Sequence, residues 1–393
     1  MKKQIFLVSL LSVLLLTGCN GGNPQKSEGP SGSSNAPEEE PEILIPDEIP
    51  EQQPENDIHT ELQWDYISDP DWTNIKEYIP TTGASGKDLG DLSAPRGSVL
   101  EFGDVEDGDK YYVEVSESRD FTNVREFESN EKSVTVYNFE IGRKYYYRAA
   151  VSEDALAEAE VKEYRVYGAA PRNLYIPGVK NFRDVGGWKT SLVENGYIKQ
   201  GLYYRCAQLD KITDEGKAEI KRLGIKVDID MRDSYSVPSK SPATSDDWEV
   251  TVLKGSVASG TENGRWEGDH ASDHNIAATY KTIFEAIAES DEAPIALHCK
   301  NGADRTGIVT FFLLALCGVS PEDCGREYMI TRYAGERDVW HEVEFDGWVS
   351  KTEALEGETF AEKTYNHMHD AFGIEEDTLE TIRELFVPGY ERP

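Results

Sequence analysis

The run His298-Cys299-Lys300-Asn301-Gly302-Ala303-Asp304-Arg305-Thr306-Gly307 places a nucleophile, a fixed cation and a flexible turn within one loop's length. An apolar strand is predicted before it (Pro294–His298) and a strongly apolar helix after it (Arg305–Leu316). A strand turning directly into a helix aims backbone N–H groups and the positive helix end into one concavity, which suits a phosphate dianion. Gly302 permits the tight backbone, and the N–H groups of Lys300, Asn301, Gly302 and Ala303 are the phosphate-binding candidates. Arg305 can hold phosphate oxygens bidentately. Beside a helix N-terminus and a guanidinium, Cys299 should be a thiolate near neutral pH, and a thiolate is an effective nucleophile. His298 and Cys299, adjacent on a strand, point to opposite sides, which argues against a shared metal. No metal or organic cofactor is expected.

This run resembles the signature of the cysteine-based protein tyrosine phosphatases: His-Cys, five residues, Arg, then Ser or Thr. Further segments sharpen the likeness. They are Asn181-Phe182-Arg183-Asp184-Val185-Gly186-Gly187, Tyr204-Arg205-Cys206-Ala207-Gln208-Leu209, Asp230-Met231-Arg232 and Tyr328-Met329-Ile330. In that order they look like the secreted bacterial group that includes phosphotyrosine and phosphoinositide phosphatases. The resemblance covers about 172–390. It implies Cys299 as nucleophile, Arg305 as phosphate clamp, Thr306 as hydrogen-bond donor to the departing sulfur, and His298 as a loop-ordering residue. Asp304 is the first candidate for general acid, with pairing to Arg183 or Arg205 as its alternative role. Asp233 and the stretch Asp246-Asp247-Trp248 are the fallbacks. Arg183, Asp184 and Arg205 are candidate substrate-site residues, with Arg183 nearest the substrate; a turn that ties the first strand to the core is the alternative reading of their motif.

Two positions depart from that group. Ala303 stands where a lysine is usual, and Lys300 follows the cysteine, which leaves inositol phosphates open as substrates. Cys206 stands where Ser is usual. It is either a small buried side chain or a redox partner for Cys299. The polar segment Gly255–Asn275, with His270 and His274, is a candidate lid or a long surface loop.

The elements that must position this chemistry are predicted as follows. From 171 to 393, strands and helices alternate, which argues an α/β domain: a central, mostly parallel sheet flanked by helices. Gly224–Met231 is a buried strand, Asp214–Leu223 a helix capped by Thr213, and Ala277–Ser290 an amphipathic helix. Residues 86–170 read as short strands: Ser98–Phe102, Tyr111–Ser116, Ser133–Phe139, Lys144–Val151 and Ala159–Tyr167. A small all-β sandwich of immunoglobulin or fibronectin III type is expected there, the latter from the weak resemblance of 139–148 to a late fibronectin strand. Residues 20–85 form an acidic, Pro/Gly/Ser-rich tether, ordered in part near Trp64, Tyr66, Trp72 and Tyr78.

Residues 1–19 resemble a lipoprotein signal: Lys2 and Lys3, an apolar run, then Leu16-Thr17-Gly18-Cys19. Lipidation of Cys19 and an extracytoplasmic, membrane-anchored location are the expectation. The formal charge of −34 makes nucleic acid an improbable partner, so a local basic site must attract an anionic substrate. The expected function is phosphate monoester hydrolysis, foremost of phosphotyrosine in proteins. The alternatives are an inositol phosphate or phosphoinositide phosphatase, and a surface binding protein whose phosphatase-like domain has lost turnover.

Overall fold

The computed structural model describes residues 45, 49–50, 52–75, 91–233, 235–255, 266, 276–291, 293–335 and 340–393. Cys19, residues 20–44 of the tether and, apart from Gly255 and Trp266, the Gly255–Asn275 segment with His270 and His274 lie outside the described residues.

A six-stranded sheet organises the C-terminal part. Its order is β11 (Thr251–Lys254), β10 (Val227–Asp230), β12 (Ile295–His298), β9 (Tyr203–Cys206), β8 (Arg183–Asp184) and β7 (Arg172–Asn173). The strands β11, β10, β12 and β9 are parallel, and β9, β8 and β7 continue antiparallel. β12 and β9 are buried at every position, as expected for strands covered on both faces. The helix Asp304–Leu316 is buried from Thr306 to Leu316, so its sequence is apolar all round rather than striped. Thr213 caps the helix Asp214–Arg222 by accepting from the Gly216 N–H.

Four helices complete this part: Pro321–Met329, Trp340–Glu353, Phe360–Phe372 and Glu376–Phe386. The sequence reading did not place them, although cap signals were present. Ser320 caps the first with Pro321 in its first turn; Thr359 caps the third, and Gly373 ends it in the left-handed conformation. No helix among the described residues is long and apolar enough to cross a membrane.

Residues 98–165 hold two antiparallel sheets, β1–β4 and β3-β2-β5-β6. The strands are β1 (Ser98–Glu101), β2 (Tyr111–Ser116), β3 (Arg125–Ser129), β4 (Ser133–Val136), β5 (Lys144–Ala150) and β6 (Lys162–Arg165). Leu100 and Val136 from one sheet share a core with Val113, Val115, Tyr145 and Tyr147 from the other. The reading missed β3, which alternates charged with partly buried residues and carries little apolar signal. Residues 153–158 form a 3-10 helix, and β6 covers only the middle of the expected strand Ala159–Tyr167.

This β unit is bolted to the rest. Arg172 donates to the carbonyls of Phe139 (2.9 Å) and Asn138 (3.1 Å) and pairs with Asp184 at 2.5 Å. Gln200 exchanges hydrogen bonds with the backbone of Ile141.

Residues 52–75, which the sequence reading placed within the tether, carry the helix Glu61–Ser68, closed by a Thr60–Gln63 capping box. Tyr66, Ile67 and Ile75 are fully buried in the same core as the C-terminal helices. Arg326 donates to the carbonyls of Ile67 and Pro70, both at 3.1 Å, and Tyr333 donates to Leu62 at 2.6 Å. Trp72 packs on Gly325, where a side chain would meet the indole at 2.9 Å.

Candidate active site

The parallel strands β10 and β12 end together, Asp230 beside His298, so the loop from Cys299 to Ala303 opens at their C-terminal edge. There the helix Asp304–Leu316 begins, with no side chain capping it. The first-turn N–H groups of this helix therefore face the loop's own concavity.

Each loop carbonyl has a donor on the outer side. The His298 ring lies 3.0 Å from the Cys299 carbonyl. The Gln208 N–H donates to Lys300 at 3.1 Å. The Asn181 side-chain amide donates to both Asn301 and Gly302 at 3.1 Å. Arg205 donates to Gly302 at 2.5 Å and to Ala303 at 3.3 Å. In a planar trans peptide the N–H points away from its carbonyl. Turning the carbonyls outward thus turns the N–H groups inward, which makes an anion nest. Gly302 has φ +67°, and a side chain there would meet the Cys206 carbonyl at 2.3 Å. That position therefore requires glycine.

Cys299 is 4% exposed. Burial alone would push its thiol up. The Thr306 hydroxyl, the Arg305 guanidinium and the N–H groups of Thr306 and Asn301 outweigh burial and hold it below its ordinary value. Arg305 is braced by a 3.1 Å hydrogen bond to the Met231 carbonyl.

Behind the loop, His298 faces Asp228 at 2.9 Å and Asp230 at 3.8 Å. Burial pulls its pKa down, but these carboxylates and the Cys299 carbonyl raise it to about 9. The imidazole is therefore a cation at neutral pH and serves as a fixed donor to the loop. Arg232 closes this layer by gripping Asp230 through Nε and Nη2 and Asp210 at 2.7 Å.

The family model described as "Tyrosine phosphatase family" matches residues 174–390, more than half of the chain. The chain belongs to the tyrosine phosphatase family. It is 28% identical over 154 residues to a tyrosine-protein phosphatase of Nostoc commune, which covers 35% of this chain and 50% of that protein. It is 27% identical over 192 residues to the triple specificity protein phosphatase PtpB of Mycobacterium tuberculosis, covering 39% and 67%. The chain thus matches between half and two thirds of the length of these relatives. The crystal structure of P. aeruginosa TpbA overlaps at 18% identity with a TM-score of 0.28, over 41% of this chain and 89% of that one.

Within this family site, the structure brings Cys299, Asp304, Arg305 and Thr306 together at one strand-to-helix turn. Lys300 is exposed at the start of the loop. Arg183, Asp184 and Arg205 do not face the open side, contrary to the sequence expectation. Arg183 is 1% exposed and donates to Glu327 Oε1 at 2.6 Å, to the Glu327 carbonyl at 2.9 Å, to Thr331 at 2.8 Å and to Asn181. Arg205 holds Glu327 Oε2 at 2.6 Å. Asp184 accepts from Arg172 and from the N–H groups of Gly186 and Gly201. Arg205 braces the loop from behind directly and Arg183 does so through Asn181, while Asp184 ties the first strands together. Both arginines pair with Glu327.

Asp233 follows β10 at the same edge as the loop, and its carboxylate accepts from Tyr235 at 3.2 Å. Asp246-Asp247-Trp248 is displaced as an acid candidate. It precedes β11, whose first residue Thr251 pairs with Val227, so it lies at the opposite, N-terminal edge of the strands. Trp248 donates to Ile225 there, and Asp247 pairs with Lys221 at 2.5 Å.

Cys206 and Cys299 are both free thiols, and burial drives the Cys206 thiol well above its ordinary value. The residues that sequence reasoning missed are the supports: Asn181 and Gln208 stood in the quoted motifs without a role, while Asp228 and Glu327 lay just outside them. Among the described residues, no group of His, Cys, Asp and Glu has the arrangement to hold a metal ion.

Proposed function

We propose that the chain hydrolyses phosphate monoesters, with phosphotyrosine in proteins as the principal substrate. The observation that carries this reading is the loop whose carbonyls are all held outward around a buried, low-pKa cysteine. The Cys299 thiolate attacks phosphorus in line, and the ester oxygen leaves with a proton from Asp304, giving a phosphocysteine. Water, giving a proton back to the Asp304 carboxylate, then attacks phosphorus, and the P–S bond breaks to release inorganic phosphate and the thiolate, with Thr306 donating to the sulfur. Arg305 and the loop N–H groups stabilise the equatorial oxygens as charge builds. The two relatives, a tyrosine-protein phosphatase and a triple specificity protein phosphatase, support this substrate class. The exposed Lys300 favours inositol phosphates as a second reading, since an ammonium at the rim can meet a further phosphate.

The test is phosphate release from phosphotyrosine peptides, phosphoinositides, free inositol phosphates and para-nitrophenyl phosphate, on wild type and Asp304→Asn. Phosphotyrosine should lead. Asp304→Asn should lose about 10²-fold or more on poor leaving groups and far less on para-nitrophenyl phosphate. Equal losses on all esters would remove Asp304 from the acid role, and no release from any ester would leave a binding protein as the reading.

The wider organisation is part of the same proposal. Residues 1–19 direct export, Cys19 carries the lipid, and residues 86–170 are a fibronectin III-like sandwich. Palmitate incorporation that persists in Cys19→Ala would contradict the anchor.

A further inference from the structure

The family match begins at residue 174, yet one of the loop's supports starts about 80 residues upstream, on the far side of the β unit in sequence. Asp91 Oδ1 accepts from the Ser93 N–H at 2.9 Å and from the Ser93 hydroxyl at 2.6 Å. That fixes the hydroxyl proton on Asp91 and turns the Ser93 oxygen into an acceptor. The Asn181 N–H donates to it at 3.0 Å. Asn181 is 1% exposed and sits at φ +56°, a left-handed conformation that asparagine adopts more readily than most residues with a side chain. Its side-chain amide then reaches the Asn301 and Gly302 carbonyls.

The upstream end is itself anchored. The Leu92 N–H donates to Tyr333 at 2.7 Å, and the Gln63 amide donates to the carbonyls of Leu92 and Ala94. Residues 91–94 are therefore clamped between the helix Glu61–Ser68 and the turn after the helix Pro321–Met329, with Ser93 presented to Asn181.

We infer that Asp91 and Ser93 are positioning residues for the phosphate loop, acting through Asn181. The chain thereby completes its catalytic site with a segment outside the family-matched region. Without the Ser93 oxygen, the Asn181 N–H is left buried and unpaired, and the backbone must shift to satisfy it. The Asn181 amide then loses its aim on the carbonyls that turn the Gly302 and Ala303 N–H groups inward. This inference rests on the proposed role of the loop, and its test separates the two.

The experiment uses the full chain with Ser93→Ala, Asp91→Ala and Asp91→Asn. Alkylation of Cys299 by iodoacetamide is followed against pH by peptide mass spectrometry, beside kcat and KM for para-nitrophenyl phosphate. Ser93→Ala and Asp91→Ala should move the alkylation midpoint to higher pH and lower kcat about tenfold. Asp91→Asn keeps an acceptor at Oδ1 and should stay near wild type. Thr213→Ala, which removes a remote helix cap, controls for general stability: it should lower the melting temperature and leave the midpoint in place. If Ser93→Ala lowers only the melting temperature, or changes nothing, the positioning role is overturned. An inactive wild type would sink the proposed function while the alkylation midpoint still reads the loop.

Discussion

Replacing Cys299 with Ser should abolish phosphate release, by at least about 10⁴-fold in kcat, and should leave the fold in place. The reason is ionisation rather than size. The site lowers a thiol pKa that starts at 9.0, using the Thr306 hydroxyl, Arg305 and inward N–H groups against the cost of burial. A serine hydroxyl starts far too high for the same field to ionise it near neutral pH, and the adjacent imidazole cannot take its proton: His298, at a pKa of about 9, already carries one. Stability should hardly change, because Ser fills nearly the same volume and the loop's supports bind carbonyls, not the sulfur. Kinetics on para-nitrophenyl phosphate with thermal melts in parallel make the check. Turnover that survives the substitution, or that EDTA removes from wild type, would rule out thiolate chemistry.

The next largest effect is expected at a residue that touches no substrate. Arg205→Met should cost about 3–5 kcal/mol of stability, because it breaks a buried ion pair from one side. Glu327 would keep Arg183 but lose its 2.6 Å bond to Arg205. At present burial pushes the Glu327 carboxyl up, and the two guanidiniums outweigh that and hold it down, below its ordinary value. Losing one of them tips that balance toward protonation or rearrangement. The same change removes one of two outer donors from the Gly302 carbonyl and the side-chain donor from Ala303, so kcat should fall with stability. Urea unfolding gives the first quantity and para-nitrophenyl phosphate kinetics at low temperature, where the variant stays folded, the second. A destabilised variant with unchanged kcat would confine Arg205 to the core.

What was legible in the sequence was local. The strand, turn and helix around Cys299 follow from an apolar run, a glycine that must sit at positive φ and a second apolar run, all within one contiguous stretch. The Thr213 cap was legible for the same reason. The roles of Arg183, Asp184 and Arg205 were not. Their types suit substrate binding equally well, and only burial decides otherwise: the arginines meet Glu327 and, for Arg205, the loop carbonyls, while Asp184 meets Arg172. The Asp246-Asp247 pair shows the same limit: acidity is visible in the sequence, but the edge of the sheet on which it falls depends on the β10–β11 register. Strand β3 escaped notice because it is an edge strand whose outward residues are charged.

By itself the sequence determined the chemistry on offer: a nucleophile, a cation and a turn at fixed spacing, with flanking elements that force them into one nest. The tertiary structure decided what holds that nest in shape. Asn181, Gln208, Arg205 and His298 come from different strands and turns, and Ser93 comes from beyond the β unit. Their contacts with the loop span as many as 121 positions along the chain, as from Asn181 to Gly302, and local periodicity carries no record of such pairings. Cys299 is thus set by its neighbours in sequence, and its reactivity by neighbours that only folding brings to it.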